Sequence, residues 1–142
     1  MSRLSPVFAL FLTGLSLLAP VGASALELKE GEWELSLRQG VTGMPSAMGV
    51  TVWRECLTQE HPIPTLYLQA QSCDVLEQHA LYRSLRYKLS CYTEHGTLSN
   101  EGKIHYGDLK IEGESKSDFG EVAGRHMVVR YKFEGRRLGD CH

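Results

Sequence analysis

The sequence predicts an all-β domain: an antiparallel meander of six to eight strands curled into a barrel or half-barrel, with one short helix and two disulfides. Three observations predict it. Apolar residues recur at every second position over several stretches, as in strands with one buried face. Glycine-containing turn signals separate those stretches. Four cysteines lie beyond an export-type leader, in a chain bound for a compartment where thiols pair.

The leader comes first. Arg3 supplies a positive start, residues 7–18 form an apolar run, and Ala23-Ser24-Ala25 is a small-x-small cleavage site. About a dozen apolar residues fall short of the roughly 20 that span a bilayer. Residues 1–25 therefore read as a cleavable secretory signal peptide and residues 26–142 as a single β domain. No cysteine sits at the cut to carry a lipid. The expectation is a soluble periplasmic protein with no transmembrane segment after cleavage. Loss of Arg3 from 15 basic residues leaves 14 against 17 acidic ones, a formal charge of −3 with histidine neutral. That balance excludes nucleic acid as a partner, which calls for a basic patch.

Along the mature chain, residues 32–38 alternate, with Trp33, Leu35 and Leu37 on one side and Glu32, Glu34, Ser36 and Arg38 on the other. Residues 39–49 hold Gly40, Gly43, Pro45 and Gly49 and read as a loop. Extended structure resumes over 50–57. Pro62 and Pro64 interrupt the next stretch, leaving room for one short helix over residues 65–70. A short strand covers 73–79. Residues 81–92 are the best patterned, with Leu81, Leu85, Tyr87, Leu89 and Cys91 inward and Arg83 as a break.

Glu94-His95-Gly96 makes a turn into a strand over 97–106, and Gly107-Asp108 reverses into 109–117, where Leu109 and Ile111 face inward. Residues 117–124 read as a loop. A last strand over 125–134 places Met127, Val129, Tyr131 and Phe133 on the inner side, and the tail turns at Gly135 and Gly139.

Four cysteines allow three pairings. Two arguments favour Cys56–Cys73 with Cys91–Cys141. The first pair brackets the proline-interrupted insertion, and the second ties the tail to the best-patterned strand, where fraying is otherwise expected.

The tail, Gly135-Arg136-Arg137-Leu138-Gly139-Asp140-Cys141, also carries a resemblance. Together with Gly31-Glu32-Trp33-Glu34, Gly43-Met44-Pro45 and Cys56-Leu57-Thr58, it resembles the exported bacterial family known as domain of unknown function 3617. The likeness runs over nearly the whole mature chain, with Cys73, Cys91 and Cys141 in the family's order. It implies a Gram-negative envelope protein and brings no established activity. The chain departs from relatives with longer Met- and Pro-rich loops in having only Met44 and Met48 there, which weakens any role for methionine.

Candidates for chemistry are few. His61, His79, His95, His105, His126 and His142 are scattered without H-x-x-x-H spacing, and no C-x-x-C pair is present. Met44 and Met48 are too few soft ligands for Cu(I). No metal and no other cofactor is expected. A G-x-S-x-G elbow is absent, and Glu112 with Glu114, flanked by Lys110 and Lys116, reads as a solvated ladder. No catalytic residue is assigned. Arg136 and Arg137 beside Asp140 read first as a local ion pair, and as an anion site second.

What is left is binding. Trp33, Leu35, Leu85, Tyr87, Met127, Tyr131 and Phe133 share the inner face, where they either fill the barrel or face a ligand. The function expected is a non-catalytic binding or accessory protein for an apolar or amphiphilic small molecule. The alternative is an envelope structural or stress factor making protein–protein contacts through the loop with Met44, Pro45 and Met48. The sequence carries no signal for oligomeric state.

Overall fold

A computed structural model describes residues 25–41 and 48–142. The expected leader, except Ala25 at its end, and the loop residues Met44 and Pro45 lie outside the described residues.

Seven strands form one antiparallel sheet: β1 (Gly31–Val41), β2 (Met48–Leu57), β3 (Ser72–Leu81), β4 (Ser84–Thr93), β5 (Gly96–Tyr106), β6 (Lys110–Val122) and β7 (Arg125–Gly139). Their order across the sheet is β2-β1-β7-β6-β5-β4-β3. The chain meanders from β3 to β7, and β7 then pairs with β1, which carries β2 on its other side. β2 and β3 are edges and do not pair, so the sheet is curled but open.

Alternation decides which face is buried. Trp33, Leu35 and Leu37 of β1, Leu85, Tyr87, Leu89 and Cys91 of β4, and Val129, Tyr131 and Phe133 of β7 all turn inward and are buried. The intervening residues are mostly charged or polar and lie on the other face, as expected for an antiparallel sheet with one covered side. Several inner positions need glycine, two of them beside the apolar floor. The Phe133 ring occupies the space a side chain at Gly113 would take, and Leu35 and Ile111 close over Gly135. Bulky inner side chains thus interdigitate across β1, β7 and β6.

The long link from β2 to β3 must travel from one sheet edge to the other, and it does so across the inner face. We call residues 58–71 the strap. Its own Pro62, Ile63, Pro64 and Leu68 are buried, and its only helical turn is a 3-10 turn, Leu66–Leu68, within the stretch expected to be helical. Residues 26–30 run alongside. Leu26 and Leu28 are buried, and Gln59 Nε2 donates to the Leu26 carbonyl at 2.7 Å.

Four local expectations are corrected. Residues 81–92 are not one strand: Tyr82 and Arg83 form the two-residue turn between β3 and β4, so the break at Arg83 marks a hairpin and Leu81 is exposed. Tyr82 takes a left-handed backbone (φ 51°) that glycine or asparagine usually signals, which hid the turn. Leu109 is likewise exposed, in the link before β6. The expected loop over 117–124 is mostly strand, with β6 running on to Val122 before a tight turn at Ala123-Gly124. The tail does not turn at Gly135, because β7 continues to Gly139.

The disulfide pairing is also corrected. The bridges are Cys56–Cys141 and Cys73–Cys91, not Cys56–Cys73 and Cys91–Cys141. Cys56 and Cys73 sit on opposite edge strands, so the insertion between them spans the sheet rather than closing on itself. Cys73 and Cys91 are direct cross-strand partners in the β3–β4 hairpin, with Cα atoms 4.0 Å apart. Glu32 lies opposite both Cys56 and Gly139, so the tail beyond β7 reaches Cys56 by crossing β1.

Candidate functional site

Among the described residues, open depressions lie on the charged outer face. One, of about 820 Å³, runs over β3 to β7 and is lined by Arg86, Lys103, Glu112, Glu114, Lys132 and Glu134 among others. Its charges are mixed and largely answer one another: Lys103 pairs with Glu114 at 3.1 Å and Lys110 with Glu112 at 2.6 Å. Solvated cross-strand pairs of this kind contribute little to stability and leave no net field to select a ligand. We place the candidate site elsewhere.

It lies on the inner face, under the strap. Tyr87, Gly102, Ser115 and Tyr131 form one row across β4 to β7, and Asn100 and Ser117 lie opposite each other in the next. Here the apolar floor turns polar. Asn100 Nδ2 donates to Ser117 Oγ at 3.0 Å and to the Lys116 carbonyl at 3.3 Å. Ser115 Oγ is 2.7 Å from the Tyr67 hydroxyl, which comes down from the strap. Gly102 is required below, because the Tyr87 hydroxyl and Ser115 Cβ fill the space a side chain there would need.

Two polar atoms of this nest have no hydrogen-bond partner among the described residues, the Tyr87 hydroxyl and Asn100 Oδ1. Asn100 is fully buried and Tyr87 is 4% exposed. A buried polar group left unpaired costs roughly 1–3 kcal/mol, so two side by side are unusual in a core. Burial holds the Tyr87 phenol well above its usual titration range, and Tyr67 adds to the effect. Burial also raises Tyr67, offset in part by its bond to Ser115. Both phenols therefore stay neutral.

Tyr67 is the strap's main anchor. Its ring meets Tyr131 edge-on at 5.1 Å and lies 5.6 Å from Trp53 and 6.2 Å from Phe133. Glu55 of β2 fixes the strap at its side of the sheet, accepting from Thr65 N at 3.0 Å and from Trp53 Nε1 at 3.0 Å. Tyr106 donates to the Pro62 carbonyl at 2.7 Å, and Gln71 N donates to Tyr92 O at 2.8 Å where the strap meets the far edge. Gln59 adds bonds to Glu30, Leu26 and Leu28, so the strap is held at separate points rather than by a continuous strand ladder.

The residues expected to face a ligand are brought together, but as floor. Trp33, Leu35, Tyr87, Tyr131 and Phe133 are buried beneath the strap, and Met127 is half-buried at the margin. Arg136 and Arg137 do not converge on one anion. Arg136 points outward to Glu34 at 2.8 Å, holding that carboxyl below its usual range, while Arg137 donates to the Glu30 carbonyl and to Asp140 at 2.8 Å. Met48 opens β2.

A protein-family model described as "Protein of unknown function (DUF3617)" matches residues 28–141. The chain belongs to the DUF3617 family. The match takes in all seven strands of this DUF3617 domain, its strap and both disulfides. No curated protein and no solved structure matches the chain.

Sequence reasoning missed the nest of the DUF3617 domain, although a signal was present. Asn100, Ser115 and Ser117 are polar residues at inner positions of otherwise regular strands, where alternation calls for apolar ones. Tyr67 carried no such signal, because it lies in an irregular segment. Among the described residues there is no group of His, Cys, Asp and Glu side chains fit to hold a metal ion, and no helix long and apolar enough to cross a membrane.

Proposed function

We propose that the protein is an exported periplasmic binding or accessory protein that takes an apolar or amphiphilic small molecule between its sheet and its strap. One observation carries the reading. Tyr67 is itself an amphiphile lodged in the site, with its ring among Tyr131, Phe133 and Trp53 and its hydroxyl on Ser115. A segment with one 3-10 turn and no ladder of strand pairing can lift where a closing strand cannot. The apolar floor it would uncover is continuous from Trp33 to Leu89.

The neutral dye N-phenyl-1-naphthylamine tests this on the oxidised mature chain. Saturable binding near one dye per protein, reversed by long-chain amphiphiles, is expected. Fluorescence that never rises above that of a denatured control overturns the reading. Export is tested separately by sequencing the amino terminus of protein recovered from the periplasm: a start at Leu26 is expected, and an intact Met1 contradicts it.

A second reading, protein–protein contact, has its own observation. Val50 and Val52 on the β2 edge and Val75 and Leu76 on the β3 edge are all more than half exposed. Unpaired strand edges flanked by apolar side chains accept an added strand. Crosslinking in intact cells that traps no partner at either edge counts against it.

A further inference from the structure

We infer that the site under the strap selects amphiphiles with a neutral hydroxyl head group over those with a charged one. The inference rests on the amphiphile-binding reading above and adds the class of ligand.

The chemistry follows from the atoms left over. Asn100 spends its amide nitrogen on Ser117 and Lys116, which leaves Oδ1 as an acceptor with nothing to accept from among the described residues. The Tyr87 hydroxyl, equally unpartnered, can donate or accept. Ser115 lies between them, within 3.4 Å of Asn100 Nδ2 and bonded to the strap's Tyr67. When Tyr67 lifts, Ser115 Oγ becomes a third free partner.

A ligand that completes this set must give one proton and take one or two. A hydroxyl does both: it donates to Asn100 Oδ1 and accepts from Tyr87 or Ser115. A carboxylate gives no proton, so Asn100 Oδ1 would face it unpaired. It would also be buried with no cation in the nest, a heavy desolvation cost. An ammonium would be buried with no carboxylate there. The nest is thus built of neutral groups alone, and burial keeps its phenols neutral through the physiological pH range. The apolar part of the ligand would follow the track now held by the Tyr67 ring, over Tyr131 and Phe133.

The probes are decan-1-ol and decanoate at pH 8, each displacing bound N-phenyl-1-naphthylamine from the oxidised protein. Decan-1-ol is expected to displace at concentrations about tenfold lower than decanoate or below. Tyr87→Phe takes one hydroxyl out of the nest and leaves its ring in place, so decan-1-ol should bind about threefold to tenfold more weakly, read against the dye affinity of the same variant. Asn100→Leu should do the same where it folds. Decanoate as potent as decan-1-ol, or decan-1-ol unaffected in a folded Tyr87→Phe protein, overturns the neutral-hydroxyl inference while the binding reading stands. If the dye does not bind the wild-type protein, both fall.

Discussion

The Tyr67 hydroxyl rests 2.7 Å from Ser115 Oγ, joining an irregular strap to the central strand of the face it covers. One side chain therefore ties down the strap and occupies the polar spot of the floor. The two roles separate by mutation. Tyr67→Phe should cost about 1 kcal/mol of stability, the worth of a hydrogen bond, and Tyr67→Ala about 3 kcal/mol for the lost ring. Both should bind N-phenyl-1-naphthylamine more tightly, since the strap competes with the ligand. Urea unfolding and dye titration read the two effects. A fall in stability with weaker dye binding would make Tyr67 ordinary core.

Both bridges tie distant places in the chain, with separations of 85 residues for Cys56–Cys141 and 18 for Cys73–Cys91. On the loop-entropy estimate, their removal by paired Cys→Ser changes costs about 4.5 and about 3 kcal/mol respectively. Peptide mapping of the oxidised protein should recover Cys56 with Cys141 and Cys73 with Cys91. A peptide linking Cys56 to Cys73 would contradict the strand order itself, since those residues lie on opposite edges.

Gly113 is needed because the Phe133 ring takes the space beside it. Gly113→Ala should therefore cost about 1–3 kcal/mol through overpacking. Gly40→Ala on β1, where a side chain would meet nothing within 4 Å among the described residues, should stay within about 0.5 kcal/mol of wild type. Equal effects at the two glycines would show that the inner face is looser than described.

Stability should fall on the alkaline side. Tyr67, Tyr87 and Tyr106 have phenols raised by burial above the ordinary value of 10.0. A group raised on folding contributes stability that is complete below its unfolded value, and that is lost as pH climbs through the folded one. The urea midpoint should hold to about pH 9 and then drop steeply. Tyr106→Phe should flatten that drop while costing about 1–2 kcal/mol at neutral pH, because it leaves the Pro62 carbonyl unpaired. An alkaline limb of unchanged steepness would contradict the role given to Tyr106.

The sheet was legible wherever one face is buried, because burial imposes a period of two: Trp33, Leu35 and Leu37, or Val129, Tyr131 and Phe133, reveal their strands directly. Position in the sheet was not legible. Nothing in the sequence places β1 between β2 and β7, and without that order Cys141 cannot be matched to Cys56. The β3–β4 turn was hidden because Tyr82 takes a conformation its side chain does not advertise. Gly135 read as a turn because glycine signals both turns and close packing, and only the neighbouring Leu35 and Ile111 tell which. The inner-face residues were named from pattern alone, but that the chain's own strap lies over them depends on a link crossing the whole sheet.

Amide hydrogen exchange over residues 58–71, followed with and without decan-1-ol, decides whether the strap is a lid over a ligand site. Ligand should hasten exchange at Leu68 and Gln69, whose amides bond only within the 3-10 turn, and leave the β5–β6 ladder unchanged. Unchanged exchange in the strap at a decan-1-ol concentration that displaces the dye, or no displacement at all, would contradict it.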